Sequence, residues 1–293
     1  MLRWRLLLGA LLVGAVVALC WLDANASTPG MWLLPLALVL SVLCSHEMVR
    51  LLTAAGARPA AWVVYAGNLA MVAANWITVF WPGTPVRAFE CVMLALALGV
   101  LAAFFVEMRR YRSPGGATQG VALTILALAY VGLLLSFVCQ LRLQGPGGLG
   151  IGSLASLIIV VKLSDVGAYT VGRLFGRHKL APRLSPGKTV EGAIGGLAAA
   201  CVGAYLALEW IVPKLAGAKY ESRLAWGWIV FGLLVGTAGI LGDLAESLMK
   251  RDLGRKDSSD WMPGFGGVLD VLDSILLAAP VAYACWSLGI AGP

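Results

Sequence analysis

Asp243-Leu-Ala-Glu246-Ser247-Leu-Met-Lys250-Arg251 runs on through Lys256-Asp257 to Pro263-Gly264-Phe265-Gly266-Gly267-Val-Leu-Asp270-Val-Leu-Asp273-Ser274. This polar stretch joins two apolar runs, 225–241 and 268–289, and holds seven of the chain's fifteen acids. Lys250, Arg251, Arg255 and Lys256 are interleaved with those acids. A run of about twenty apolar residues is the length a helix needs to cross a bilayer. Acids at the mouths of such helices are costly to desolvate and so mark function. Together these features predict a helical membrane protein with a metal and phosphate site at one face.

Outward from this stretch the pattern repeats. Hydrophobic residues make up 60% of the 293 positions and charged residues 13%, with a mean hydropathy of +0.86. That composition overrides the one or two soluble domains that length alone would allow. Apolar runs at 6–22, 31–49, 60–80, 87–106, 118–141, 149–170, 190–212, 225–241 and 268–289 predict an all-α polytopic integral membrane protein of about nine transmembrane helices. Ala24-Asn-Ala26 has the small-residue pattern of a signal-peptidase site, but with many spans following, a retained first span is the better reading.

Loop charges set the orientation. With nine spans, sixteen Lys and Arg fall in loops on the N-terminal side and five on the other. Basic loops stay in the cytoplasm, so the N-terminus is expected there and the C-terminus outside. The net charge of +7 is therefore a topology signal, and no nucleic-acid partner is expected. The six cysteines show no CxxC or Cys/His spacing, which argues against a zinc site or disulfide framework and for small apolar packing residues.

Polar chemistry is distributed unevenly, which predicts two regions: 1–148, a scaffold with lipid entry, and 149–293, a catalytic region. In the first, the exceptions are Glu107 and His46-Glu47 with Arg50; spacing puts Glu47 and Arg50 on one helix face, where an interfacial ion pair is expected. In the second, Lys162 and Asp165 sit within an apolar run and should face the bundle interior or water. Ser185-Pro-Gly-Lys188-Thr189-Val-Glu191-Gly192 has the composition of a helix start. Backbone N–H groups there, with Ser185, Lys188 and Thr189, form a plausible phosphate cradle. The Walker A reading fails, because the first glycine of that motif is missing before Gly187-Lys188-Thr189.

Both inner loops lie on the cytoplasmic side by the charge count, so they can meet at one membrane-face cavity. Oxygen ligands without Cys or His suit Mg²⁺. The expected metal carboxylates are Asp165, Asp243, Glu246 and Asp270. Asp243 and Glu246, like Asp270 and Asp273, are one helical turn apart, and two such helix ends could frame a metal pair. Gly264, Gly266 and Gly267 leave room for close backbone approach to a ligand and can supply N–H groups before the last helix. Asp252, Arg255 and Asp260 read as a solvated loop.

These blocks resemble the phosphatidate cytidylyltransferase (CDP-diacylglycerol synthase) family. The likeness covers about 162–274 and rests on Ser164-Asp165, Ala168-Tyr169, Gly172-Arg173, Phe175-Gly176, the Ser185–Gly192 block, Ser247-Leu-Met-Lys250-Arg251, Lys256-Asp257 and Pro263 to Asp273, in the family's order. It implies a multi-pass enzyme of the cell (inner) membrane, with its site facing the cytoplasm, that joins CTP and phosphatidate into CDP-diacylglycerol and pyrophosphate. It also implies Mg²⁺, with a second cation as an option, and bilayer lipids and a second copy of the chain as partners. Asp243 and Asp270 match the family's metal acids, and Asp273 belongs to the same motif. Lys188, Lys250 and Arg251 match basic positions suited to the phosphates. The chain departs from the family at Phe265 and Val271, where His and Arg are usual. Two rival readings are a CTP-dependent lipid-alcohol kinase and an ion-coupled transporter using Lys162, Asp165 and Asp270. The crowding of acids on one face and the lack of an internal repeat tell against the transporter.

Overall fold

The computed structural model describes residues 2–145, 148–217, 224–255, 258–259 and 266–292. The expectations placed on Lys256, Asp257, Asp260, Gly264 and Phe265 lie outside these residues. In chain order the helices are α1 (Leu2–Ala24), α2 (Leu33–Ala54), α3 (Ala61–Ala74), α4 (Ile77–Phe80), α5 (Ala88–Arg110), α6 (Ala117–Ala127), α7 (Leu134–Leu143) and α8 (Gly148–Phe175). A hairpin of β1 (Lys179–Ala181) and β2 (Ser185–Thr189) follows. Then come α9 (Val190–Tyr205), α10 (Val212–Ala216), α11 (Gly227–Asp252) and α12 (Val268–Ser287). Turns of π-helix, Leu128–Leu133 and Leu206–Ile211, join α6 to α7 and α9 to α10 without breaking the rod.

Among the described residues, seven helices of 20 to 28 residues are long and apolar enough to cross a membrane, so the chain is a multi-pass helical membrane protein. The expectation was about nine. Of the two other runs, the first lies in α1, with Val13–Ala24 apolar, and the second forms the shorter apolar helix Ala61–Ala74. The run 60–80 breaks because the Asn75 amide turns back and donates to the carbonyls of Met71 and Val72, at 2.8 and 3.1 Å. Helix ends leave carbonyls unsatisfied, and a side-chain donor there stops the helix. The hairpin departs from the expected all-α architecture.

The chain divides into two compact units, 1–140 with 252–271, and 141–251 with 272–293. In the first, the core forms where α3, α5 and the π-turn bring Val63, Met71, Val92, Val106 and Leu128 together. Leu128 fits because Gly67 and Gly99 face it; a methyl on either would lie 2.6 or 2.9 Å from its side chain. Buried Asp23, just before the end of α1, caps the start of α2, its carboxylate accepting from the N–H groups of Gly30, Trp32 and Leu33 at 2.9 to 3.3 Å.

In the second unit, α8 and α9 pack through glycines, the expected device where lipid gives helices no hydrophobic reason to associate. A methyl on Gly192 would sit 2.8 Å from the Ala168 carbonyl, and one on Gly196 3.1 Å from the Ser164 carbonyl. α11 approaches α9 in the same way at Gly232, 2.7 Å from the Cys201 backbone by that measure.

Candidate functional site: a lysine–carboxylate cluster

The second unit gathers charge in the C-terminal halves of α8 and α11. Thr189 closes the hairpin and begins α9; its hydroxyl accepts from Gly192 N at 3.1 Å as an N-cap. The Glu191 carboxylate reaches back to the N–H groups of Arg177 and His178 and pairs with His178 Nδ1 at 2.6 Å. The helix start expected from Thr189 and Glu191 is present, and these contacts anchor the β2 strand that carries Lys188. The pairing of Ala181 with Ser185 and of Lys179 with Thr189 fixes the hairpin register.

Lys188 Nζ lies 2.6 Å from Asp243 Oδ2, joining the hairpin to α11. Neither partner is sealed, since the Lys188 side chain is 24% exposed and that of Asp243 38%. Lys162 and Asp165, one turn apart on α8, pair at 3.3 Å and are also half-exposed. Asp165 feels the charges of Lys162, Asp243 and Lys188, and Asp273 feels those of Asp243 and Lys162. The group is therefore one electrostatic cluster of three carboxylates and two lysines.

Close helix packing produces this convergence. A methyl on Gly242 would lie 2.8 Å from the Asp273 carbonyl and 2.9 Å from Ser274 Cα, so α11 and α12 touch through backbone beside both acids. Asp273 is buried, and its Oδ1 accepts from the Ser274 hydroxyl at 3.0 Å.

The remaining predicted residues are placed differently. Glu246 is 1% exposed and pairs with Lys250, itself 12% exposed, at 2.7 Å. That pair is an internal tie of α11, turned away from solvent. Arg251 is exposed at the end of α11, where its Nε donates to the Leu184 carbonyl at 3.3 Å and meets the hairpin turn. Ser185 opens β2.

Asp270 stands in the first turn of α12, within the first compact unit. Its Oδ2 accepts from Gly267 N at 2.7 Å, from Ser258 N at 3.0 Å and from the Ser258 hydroxyl at 2.5 Å. Gly266 adopts φ +82°, and a methyl on it would crowd that carboxylate at 2.5 Å. Glycine is thus required here by the chain's own Asp270 carboxylate, where the sequence led us to expect a bound ligand.

Sequence reasoning missed Ser258 and the surroundings of Glu47. Where spacing suggested an interfacial pair with Arg50, the Glu47 carboxylate is buried and accepts from Ser258, Val268 and Leu269, while Arg50 is exposed. An acid inside an apolar run was the available signal.

The donor set is chemically consistent with a hard divalent cation. Among the described residues no three or more acids, imidazoles or thiols form a preformed metal cage. Mg²⁺ does not need one, since it keeps several waters and commonly takes one or two carboxylates together with substrate phosphates. Asp243 and Asp165 are half-open oxygen donors, and the lysines beside them suit phosphate.

The sequence profile of the cytidylyltransferase family matches residues 3–288. A phosphatidate cytidylyltransferase of Haemophilus influenzae is 44% identical over 131 residues, covering 45% of this chain and 44% of that protein. One of Brucella suis is 45% identical over 134 residues, 46% of each. The matched stretch thus spans just under half the length of these two relatives. A phosphatidate cytidylyltransferase of Mycobacterium bovis is 32% identical over 289 residues, 96% of this chain and 88% of that one.

Proposed function

The chain belongs to the cytidylyltransferase family, and we propose that it transfers CMP from CTP to phosphatidate, giving CDP-diacylglycerol and pyrophosphate. The observation that carries this reading is the half-open Lys188–Asp243 pair, which sets a phosphate-binding cation beside a carboxylate able to hold a metal. The relatives' shared name supplies the substrates.

In this reading Asp243 and Asp165 hold Mg²⁺; Asp270 is read as a metal carboxylate by itself, on the strength of its place in the motif. When bound, the cation neutralises phosphate charge and activates the α-phosphoryl group. Lys188 and Arg251 bind the nucleotide's phosphates, oriented by the hairpin and the last turn of α11. Their charges stabilise negative charge as it develops on the departing pyrophosphate. Phosphatidate already carries an anionic oxygen near neutral pH, so the protein need not supply a general base. Its residues instead hold that oxygen in line with the α-phosphorus. Lys250 is committed to Glu246, and Thr189 to capping α9, so both act by holding the frame. Asp273 sets the local field beside Asp243.

The membrane arrangement proposed with it has nine crossings: the seven long apolar helices, α1 and α3. The N-terminus and the site face the cytoplasm, where CTP is available, and the C-terminus faces outward in the inner membrane. The region 1–148 forms the lipid-facing scaffold, and a second copy of the chain is a candidate partner.

The test is purified protein with CTP, Mg²⁺ and phosphatidate, following CDP-lipid and pyrophosphate together. Equal release of the two is expected, falling about 10²-fold or more in Asp243→Asn. CDP in place of pyrophosphate would identify the lipid-kinase reaction, and full turnover by Asp243→Asn would refute the site.

A further inference from the structure

Glu47 lies in α2 and is 2% exposed. A buried carboxylate needs donors, since burial strips away the water that would otherwise solvate its charge. Glu47 finds them at the start of α12. Its Oε1 accepts from Val268 N at 3.0 Å, and its Oε2 from Leu269 N at 2.8 Å. These amides belong to the first turn of α12, where N–H groups have no partner within the helix and the helix dipole favours negative charge. Glu47 is therefore an N-terminal cap supplied by a helix more than two hundred residues away in sequence.

The same cap reaches Asp270. The Ser258 hydroxyl lies between the two carboxylates, 3.2 Å from Glu47 Oε2 and 2.5 Å from Asp270 Oδ2. Ser258 N and Gly267 N also donate to Asp270 Oδ2. A side chain at Gly267 would run into both the Ser258 hydroxyl and the Glu47 carboxylate, so the cluster closes only around glycine. One carboxylate thus fixes the helix start, the loop serine and, through them, the other carboxylate.

We infer that Glu47 is the positioning residue for Asp270: it holds the first turn of α12 and Ser258 so that Asp270 is presented in one orientation for the metal. The inference rests on the reading of Asp270 as a metal carboxylate. Groups that orient a metal ligand typically change metal affinity 10- to 100-fold when removed. Glu47 is thereby assigned to the reaction, although it belongs to the half of the chain with little polar chemistry.

The experiment compares full-length wild type with Glu47→Gln, which keeps the side-chain shape but turns an amide N–H₂ toward donors. Hydrogen exchange is followed in metal-free, detergent-purified protein over the peptide 266–272. Exchange at Val268 and Leu269 is expected to be about tenfold faster in the variant. The Mg²⁺ concentration for half-maximal turnover is expected to rise about tenfold, with turnover at saturating Mg²⁺ changing much less. If either exchange or Mg²⁺ requirement is unchanged, the inference is overturned. Should Glu47→Gln fail to fold, Ser258→Ala removes only the bridging hydroxyl. Exchange at Val268 and Leu269, still capped by Glu47, is then expected to stay as in wild type while the Mg²⁺ requirement rises, and an unchanged Mg²⁺ requirement overturns the inference. Asp270→Asn separates the two layers of the argument. Unaltered Mg²⁺ dependence in that variant would remove the metal reading and leave the exchange result to judge the cap alone.

Discussion

Two lysine–carboxylate pairs in the second unit have the same chemistry and opposite surroundings. Lys188 and Asp243 sit half-open at 2.6 Å, whereas Glu246 and Lys250 are nearly sealed at 2.7 Å. An exposed pair contributes about 0–1 kcal/mol, because water screens it and the long side chains lose freedom. Removing one member of a sealed pair strands a buried charge and costs about 3–5 kcal/mol. Lys188→Met is therefore expected to leave the thermal midpoint in detergent nearly unchanged while abolishing turnover. Lys250→Met is expected to destabilise the fold by about 3 kcal/mol, with Glu246→Gln in the same chain restoring much of that loss. Parallel melting curves and CDP-lipid assays on the three proteins check both expectations; a Lys250→Met variant that melts like wild type while losing activity would return Lys250 to the substrate.

At the scale of elements, the contact between α11 and α12 decides whether the acids meet. Gly242 lies within 2.9 Å, by an added methyl, of the Asp273 carbonyl and Ser274 Cα, both backbone atoms that cannot rotate aside. Gly242→Ala should push the helices apart, at a cost of about 1–3 kcal/mol for overpacking, and weaken turnover by separating Asp243 from Asp273. Melting and turnover should fall together here, in contrast to Lys188→Met. The long spans were legible because hydropathy alone specifies a helix in lipid, where every backbone group must be satisfied internally. The end of α3 was not, because Ile77-Thr-Val-Phe80 continues the apolar run past Asn75 and only the folded amide reveals the break. The hairpin was also hidden, since Ser185-Pro-Gly reads as a turn and a strand containing proline is disfavoured except at an edge. In the site, Asp243 and Lys188 announced themselves as charges at the mouths of spans. Ser258 gave no signal, and the partners of Glu47 are backbone amides, which carry no sequence signature.

For the whole molecule, the proposed orientation makes a sharp prediction. Nine crossings put the two ends of the chain on opposite sides of the membrane, whereas seven with α1 and α3 lying at the surface would do the same with different loops exposed. A reporter fused after residue 292 should be active only outside the cytoplasm, and a single cysteine introduced at Gly56 should react only with reagents that reach the cytoplasm. Labelling of Gly56→Cys from outside would refute the proposed orientation. The Glu47 cap adds a constraint in time. Its donors lie 211 to 222 residues downstream, and a ribosome adding about 5–20 residues per second takes roughly 10–40 seconds to make them. During that interval α2 holds an acid in or near the membrane without the contacts that will finally receive it. The last helix is then less an addition to a finished bundle than the event that completes its earliest part, and a nascent chain that stalls before α12 leaves α2 open to the cell's membrane quality control.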